Sequence, residues 1–319
     1  MVKVLKILLP KYIYSTIRDF ILRIKGPSSN LSPTQYWTGH HVLSPRKLTS
    51  DEYEKFLEFR NKGYLNYSEL LPLKGHDGKV IVDYGCGPGI ELTGLGIYNN
   101  YNKLYGVDIS PTALEKAKQR CDVLGVSSEL INLKQEIGEL PIASNSVDLI
   151  HCSGVLHHTP NPISIMKEFN RILKDDGKIQ IMIYNYDSVF VHLYIAYIQM
   201  VLDKKRIFSK NIYKGLSKSE VFKMHTDGIT CPISNCWKVD EFLGMIREAG
   251  MTGIFKGSAP SIISEMKLLP LRFDAIMDEQ LDPESRDFLY NLTFNEYGIP
   301  AYKGRTAGIN ACYELTKTI

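Results

Sequence analysis

Apolar positions along this chain follow two periods. Short aliphatic and β-branched runs at 80–82, 104–107, 147–152 and 179–183 are bounded by turn residues and read as strands buried on both faces. Between and after them, apolar residues recur at helical spacing, with a helix over 161–176 stopped by Gly177 and another over 237–249 stopped by Gly250. Further strands are expected just after Gly250 and over 307–317. Strands alternating with helices predict an α/β protein, a mostly parallel sheet with helices on both faces. The first run ends in Asp83 and breaks into a loop with glycines at 85, 87 and 89, and the second ends in Asp108. The carboxyl ends of strands form the ligand crevice of such a sheet, so both acids face it.

The loop spacing bears on the ligand. A dinucleotide turn is G-x-G-x-x-G, with a pyrophosphate on the following helix N-terminus. Here the pattern is D-x-G-x-G-x-G, and Pro88 removes one backbone donor. A carboxylate ahead of the first glycine repels phosphate and suits an ammonium, while the second acid suits a ribose diol. S-adenosylmethionine (SAM) carries both groups. On VIVDYGCGPG and LYGVDIS the chain resembles the class I SAM-dependent methyltransferases.

That resemblance implies a Rossmann-like, seven-stranded, mostly parallel sheet, and it covers about residues 78–317 with two interruptions. It implies a cofactor set of Asp83, Gly85, Cys86, Gly87, Gly89, Asp108, Ile109, Glu136, Ile137 and Ser153. Glu136 stands where relatives more often have Asp and would accept from the adenine amino group, with Ile137 flanking the ring. Asp148 is the acid typical of the fourth strand, and Ser153 would lie beside the sulfonium. GVLHH and LPIASNSVDLI are similar to the ubiquinone/menaquinone branch, whose members act on small molecules.

Composition changes this picture little. The 319 residues, 44% apolar and 23% charged, describe an ordinary globular protein, and a net charge of +3 does not call for nucleic acid. No N/D-P-P-Y/F motif follows the fourth strand, where SGVLHH stands instead. Six cysteines without framework spacing fit a reduced, cytoplasmic setting. Three regions are expected. Residues 1–30 form a basic amphipathic helix and linker, which either caps the domain or an oligomer interface or lies on an anionic membrane surface. Residues 31–75 form a helical cap with a helix starting at Ser50, and Arg60, Tyr64 and Tyr67 face SAM or acceptor. Residues 76–319 form the methyltransferase domain, with lid inserts at 187–236 and 260–305, the second a helical flap.

The expected chemistry is in-line methyl transfer to a small-molecule, sugar or lipid-linked acceptor, at oxygen by base rate, leaving S-adenosylhomocysteine. A hydroxyl acceptor must lose a proton, and a base within reach speeds this by about 10²–10⁴-fold. The candidates are His157 and His158 after the fourth strand, then His225 and Tyr184, with Tyr186 and Asp227 nearby. His225, Asp227, Cys231 and Cys236 do not match structural zinc spacing, so no metal is expected. A homodimer stays open, as does a non-catalytic SAM-binding subunit that scaffolds or activates a partner.

Overall fold

Five apolar runs become parallel neighbours because each is covered on both faces. They are β1 (Val80–Tyr84), β2 (Lys103–Asp108), β3 (Glu129–Asn132), β4 (Val147–Ser153) and β5 (Leu173–Tyr184). With β6 (Met251–Ala259) and β10 (Asn310–Lys317) they form one sheet of order β3-β2-β1-β4-β5-β10-β6. Strand β10 runs antiparallel between β5 and β6, and the β1–β5 pairs are parallel. The computed structural model describes residues 31–40, 49–133, 139–202 and 213–318. The N-terminal segment 1–30, Glu136, Ile137 and the side chain of Arg60 lie outside the described residues.

Helices α4 (Ile90–Tyr98), α5 (Pro111–Leu124), α6 (Pro162–Ile172) and α8 (Val239–Glu248) cover the sheet. Phe169, Ile172, Phe242 and Ile246 are fully buried against Ile179, Ile181 and Tyr313 on one face. Leu92, Leu95 and Ala117 bury Ile81 and Leu104 on the other. Gly250, at φ +77°, ends α8 as the sequence implies. Gly177 does not end a helix. Helix α6 stops at Ile172, and β5 starts at once with Leu173 opposite Val147. Lys174, Asp175 and Asp176 supply no apolar helix face, whereas Leu173 is fully buried as a strand residue.

The cap consists of α1 (Pro33–Gly39), α2 (Ser50–Lys62) and the short α3 (Tyr67–Leu70). Thr49, not Ser50, caps α2: its hydroxyl accepts from Glu52 N, and the Glu52 carboxylate accepts from Thr49 N at 2.8 Å. Tyr53 and Leu57 of α2 are buried on the sheet helices. The first insert contains a π-helix (Phe190–Leu202) and α7 (Lys218–Thr226). Both faces of the π-helix are covered, one by α7 and the other by the second insert.

That second insert is not wholly helical. After α9 (Arg272–Met277) and α10 (Pro283–Tyr290), it closes with a three-stranded antiparallel sheet: β7 (Thr293–Phe294), β8 (Pro300–Tyr302) and β9 (Arg305–Thr306). Asn295 Oδ1 accepts from the N–H groups of Tyr297 and Ile299, and Gly298 takes φ +73°, so a tight turn forms where the helix would have continued. Among the described residues, no helix is long and apolar enough to cross a membrane.

Candidate active site

A cavity of about 950 Å³ opens along the carboxyl ends of β1, β2, β4 and β5 and runs beneath α1. At one end stand Asp83, next to last in β1, and Asp108, the last residue of β2, with Gly85, Cys86 and Gly87 between them. The loop spends its own donors. Gly85 N and Cys86 N both donate to Val107 O, at 2.7 and 3.0 Å, and Gly89 N donates to Cys86 O. Gly87 N donates to Asp108 Oδ2 and Ser110 N to Asp108 Oδ1, both at 2.8 Å. No N–H of these residues is left to cradle a phosphate, so this is not a dinucleotide turn.

What remains is acceptor-rich. The Asp108 carboxylate, with about four lone-pair sites, keeps acceptor capacity beyond its backbone bonds, which suits a vicinal diol. Burial pushes the Asp108 carboxyl above its ordinary value, opposed by the N–H donors of Ser110, Gly87 and Ile109. Gly85 has no substitute, because a Cβ would stand 2.2 Å from Val155 Cγ2 at φ +74°. Glu91, from the first turn of α4, also lines the cavity. Its carboxylate is 3.0 Å from His151 Nε2, on a ring that is fully buried. Burial alone would lower His151, but the bond to Glu91 and its charge bring it above the ordinary value. With Asp83, Glu91, Asp108 and Asp227 against His158 and Lys116, the lining suits a cation. These groups fit SAM, whose ammonium, sulfonium and diol all call for acceptors.

The other end is built by the cap and first insert. Asp227, the residue after α7, receives the Tyr184 hydroxyl at 3.2 Å on Oδ1 and the Ser234 hydroxyl at 2.8 Å on Oδ2. His158 Nε2 lies 3.4 Å from the same Oδ1, and His158 Nδ1 is 2.8 Å from the Ile233 carbonyl. The Tyr36 hydroxyl of α1 donates to the Asp227 backbone carbonyl. Burial would raise the Asp227 carboxyl, but the His158 charge and hydrogen bond bring it down to about 2. Burial and then the Asp227 charge hold the Tyr184 hydroxyl well above its ordinary value.

The sequence candidates separate on this geometry. Asp83, Gly85, Cys86, Gly87, Asp108, Ile109, Ser153, His158 and Tyr184 line the cavity. Cys86 contributes backbone there, since its thiol is buried among Ile81, Ile90 and Leu92. Gly89 is set back: at φ +80° it starts α4, where a Cβ would stand 2.9 Å from Ala117 Cβ. Ser153 Oγ lies 2.6 Å from the Tyr67 hydroxyl, and Tyr64 is also on the wall.

His157 is off the wall and fully buried, with its ring 3.9 Å from Tyr184 and 4.2 Å from His158. Neither of its nitrogens has a hydrogen-bond partner, and burial holds it well below the ordinary histidine range. His225 is off the wall too, its Nε2 2.7 Å from the Tyr213 hydroxyl in the insert. Asp148 sits near the amino-terminal end of β4, off the cavity wall, accepting from Val80 N and Lys174 Nζ. Sequence reasoning missed the Glu91–His151 pair and Tyr36, and it placed Asp227 without its partners. The His225, Asp227, Cys231 and Cys236 pattern pointed to Asp227, but not to its partners.

A strand-end crevice with an anionic, phosphate-excluding loop defines the class: a doubly wound α/β protein for a cationic nucleoside. Residues 82–181 match the family model described as a methyltransferase domain. Over 152 residues, 46% of this chain and 62% of the relative, it is 30% identical to the ubiquinone biosynthesis O-methyltransferase of Glaesserella parasuis. It is 26% identical to the sterol 24-C-methyltransferase of Pneumocystis carinii, over 32% of this chain and 26% of that one. The chain spans about half the length of the curated relatives it matches. A SAM-dependent methyltransferase structure from Aquifex aeolicus superposes with a TM-score of 0.42 at 18% identity, covering 65% of this chain and 91% of that one. Residues 82–181 carry a methyltransferase domain similar to those of SAM-dependent enzymes, and SAM is its cofactor.

Proposed function

We propose that this protein moves a methyl group from SAM to an oxygen atom of a small hydroxylated acceptor. The observation that carries this reading is the single cavity, which joins the acids Asp83 and Asp108 to the Asp227–His158–Tyr184 cluster. At about 950 Å³ it stands near the top of the ~300–1,000 Å³ range of ligand sites, with space beyond a cofactor. Tyr36, Trp37, Tyr64 and Met182 on its walls suit an acceptor with an apolar or aromatic body. The Glaesserella relative, named for O-methylation, supports the choice of oxygen.

Bound SAM supplies a methyl group activated by its sulfonium. The protein's own work is alignment and exclusion of water. Asp108 holds the diol, and Asp83 with the glycine loop seats the amino-acid end. Tyr67 and Ser153 stand where the two ligands meet, and α1 closes over them. The acceptor oxygen gains a carbon and gives up its proton to bulk water, an ionisation that the His158–Asp227 pair is placed to promote.

The test has two stages. Calorimetry should show SAM binding at micromolar affinity, lost in Asp108→Ala. Carbon-13 methyl-labelled SAM, incubated with a panel of phenols, sugars and isoprenoid alcohols, should then yield a product whose methyl shift is that of an ether. A methyl on nitrogen or carbon would overturn the oxygen assignment. Binding without turnover on any member would favour a SAM-binding subunit.

A further inference from the structure

His158 Nδ1 faces the Ile233 carbonyl, an acceptor, at 2.8 Å. When the ring is neutral, as a metal ligand must be, its proton therefore sits on Nδ1 and the lone pair of Nε2 points forward. What it meets is another acceptor, Asp227 Oδ1, at 3.4 Å. Two lone-pair atoms so placed call for a cation between them. A proton could serve two atoms, but a third donor converges here: His158, Asp227 and Cys231 bring their ligand atoms within 4.8 Å of one another. A tetrahedral zinc ion with bonds of about 2.0–2.2 Å to nitrogen and oxygen sets those two atoms roughly 3.3–3.6 Å apart.

The supporting contacts are those a metal site uses. The Ile233 carbonyl fixes the imidazole tautomer, and the Ser234 hydroxyl holds the remaining Asp227 oxygen at 2.8 Å. Cys231 is buried behind, while His158 and Asp227 stand on the cavity wall, so a fourth position opens into the cavity. His158 comes from the turn after β4, and Asp227 and Cys231 from the loop after α7. For that reason the spacing within 225–236 hides the set.

We infer that His158, Asp227 and Cys231 form a zinc site whose open position takes the acceptor's oxygen, an inference that rests on reading this end of the cavity as the acceptor site. On binding, Cys231 releases to solvent the thiol proton it otherwise donates to the Ile233 carbonyl at 3.1 Å. A cation there would hold the oxygen and make its hydroxyl more acidic.

The experiment needs no acceptor. Chelator-treated full-length protein is titrated with Co(II), then Zn(II), following the thiolate-to-cobalt absorption band, with SAM calorimetry and circular dichroism alongside. Wild type should take up one equivalent with that band, and Zn(II) should displace it. Cys231→Ala should lose the band while keeping its fold and SAM affinity, and Asp227→Asn should weaken Co(II) at least about tenfold. Either no stoichiometric uptake by folded, SAM-binding wild type, or an equal band in Cys231→Ala, overturns the site: the cation between Nε2 and Oδ1 is then a proton only. Wild type that binds cobalt but not SAM would instead sink the methyltransferase reading.

Discussion

The two ends of the cavity are built by different means. The cofactor end is made within about 30 residues of chain, from two strand ends and the loop between them, and its carboxylate Asp108 is fixed by backbone N–H donors. The acceptor end is assembled from α1, the turn after β4, the end of β5 and the loop after α7, and its side chains hold one another. A local site of this kind is a property of the sheet. A composite site is a property of how the inserts fold back on it, and it can change without disturbing the other.

The sharpest way to break this comparison is at the cofactor end. Asp108→Ala removes the side-chain acceptor placed for the diol among the described residues and frees Gly87 N and Ser110 N. Hydrogen bonds to a charged group are worth about 1.5–3 kcal/mol each, so SAM affinity should fall at least about 100-fold. Asp108→Asn, which keeps the shape, should fall between. Calorimetry showing near-wild-type SAM affinity in Asp108→Ala would mean that the diol is read elsewhere.

Next in size is the matching change at the acceptor end. Asp227→Asn should leave SAM affinity within about twofold and cut turnover roughly 100-fold, since the pair governing the acceptor's ionisation is broken. If SAM affinity falls as far as in Asp108→Ala, the two ends are one coupled site and the distinction fails.

The same contrast explains what could be read in advance. Asp83 and Asp108 were legible because an apolar run, an acid and a glycine loop are adjacent in sequence and period fixes their direction. The sheet and α8 with its Gly250 stop followed from the same signals. Glu91 could not be paired with His151, because the β1–β4 register that sets His151 beside Asp83 is not written in either strand. The distance between His158 and Asp227 depends on where the first insert returns, and its apolar helix has no polar face to say which side is covered. The two adjacent histidines looked equivalent. The short helical turn over Leu156–His158 separates them, turning His157 into the core and His158 onto the wall.

A smaller effect tests what holds the inserts. Glu265 is fully buried and accepts from the N–H groups of Phe190, Ser261 and Ile309, tying both inserts to the approach of β10. Burial raises its carboxyl from 4.5 to about 8 despite the three donors. Between about pH 4.5 and 8 the folded protein keeps a proton that the unfolded chain has released, so stability falls as pH rises through that window. Glu265→Gln cannot titrate. Although less stable throughout, it should show a flatter melting temperature from pH 5 to 8 than wild type. Parallel curves for the two proteins would show that the carboxyl is ionised across the range.

The smallest expected effect is also the most selective. The Tyr36 hydroxyl joins α1 to the Asp227 carbonyl, while Thr38 at the far end of the same helix accepts from the Thr112 hydroxyl on α5 at 2.7 Å. One short helix therefore touches both ends of the cavity. Its ring is buried and stacks on His40 at 4.1 Å, so Tyr36→Phe keeps the packing and removes one hydrogen bond. A neutral bond of this kind contributes about 0.5–1.5 kcal/mol, which corresponds to a rise in acceptor KM of roughly 2–10-fold. SAM affinity should not move, because the Thr38–Thr112 link stays. Should SAM affinity fall together with acceptor KM, α1 closes as a rigid unit, and the acceptor end is formed only when the cofactor end is.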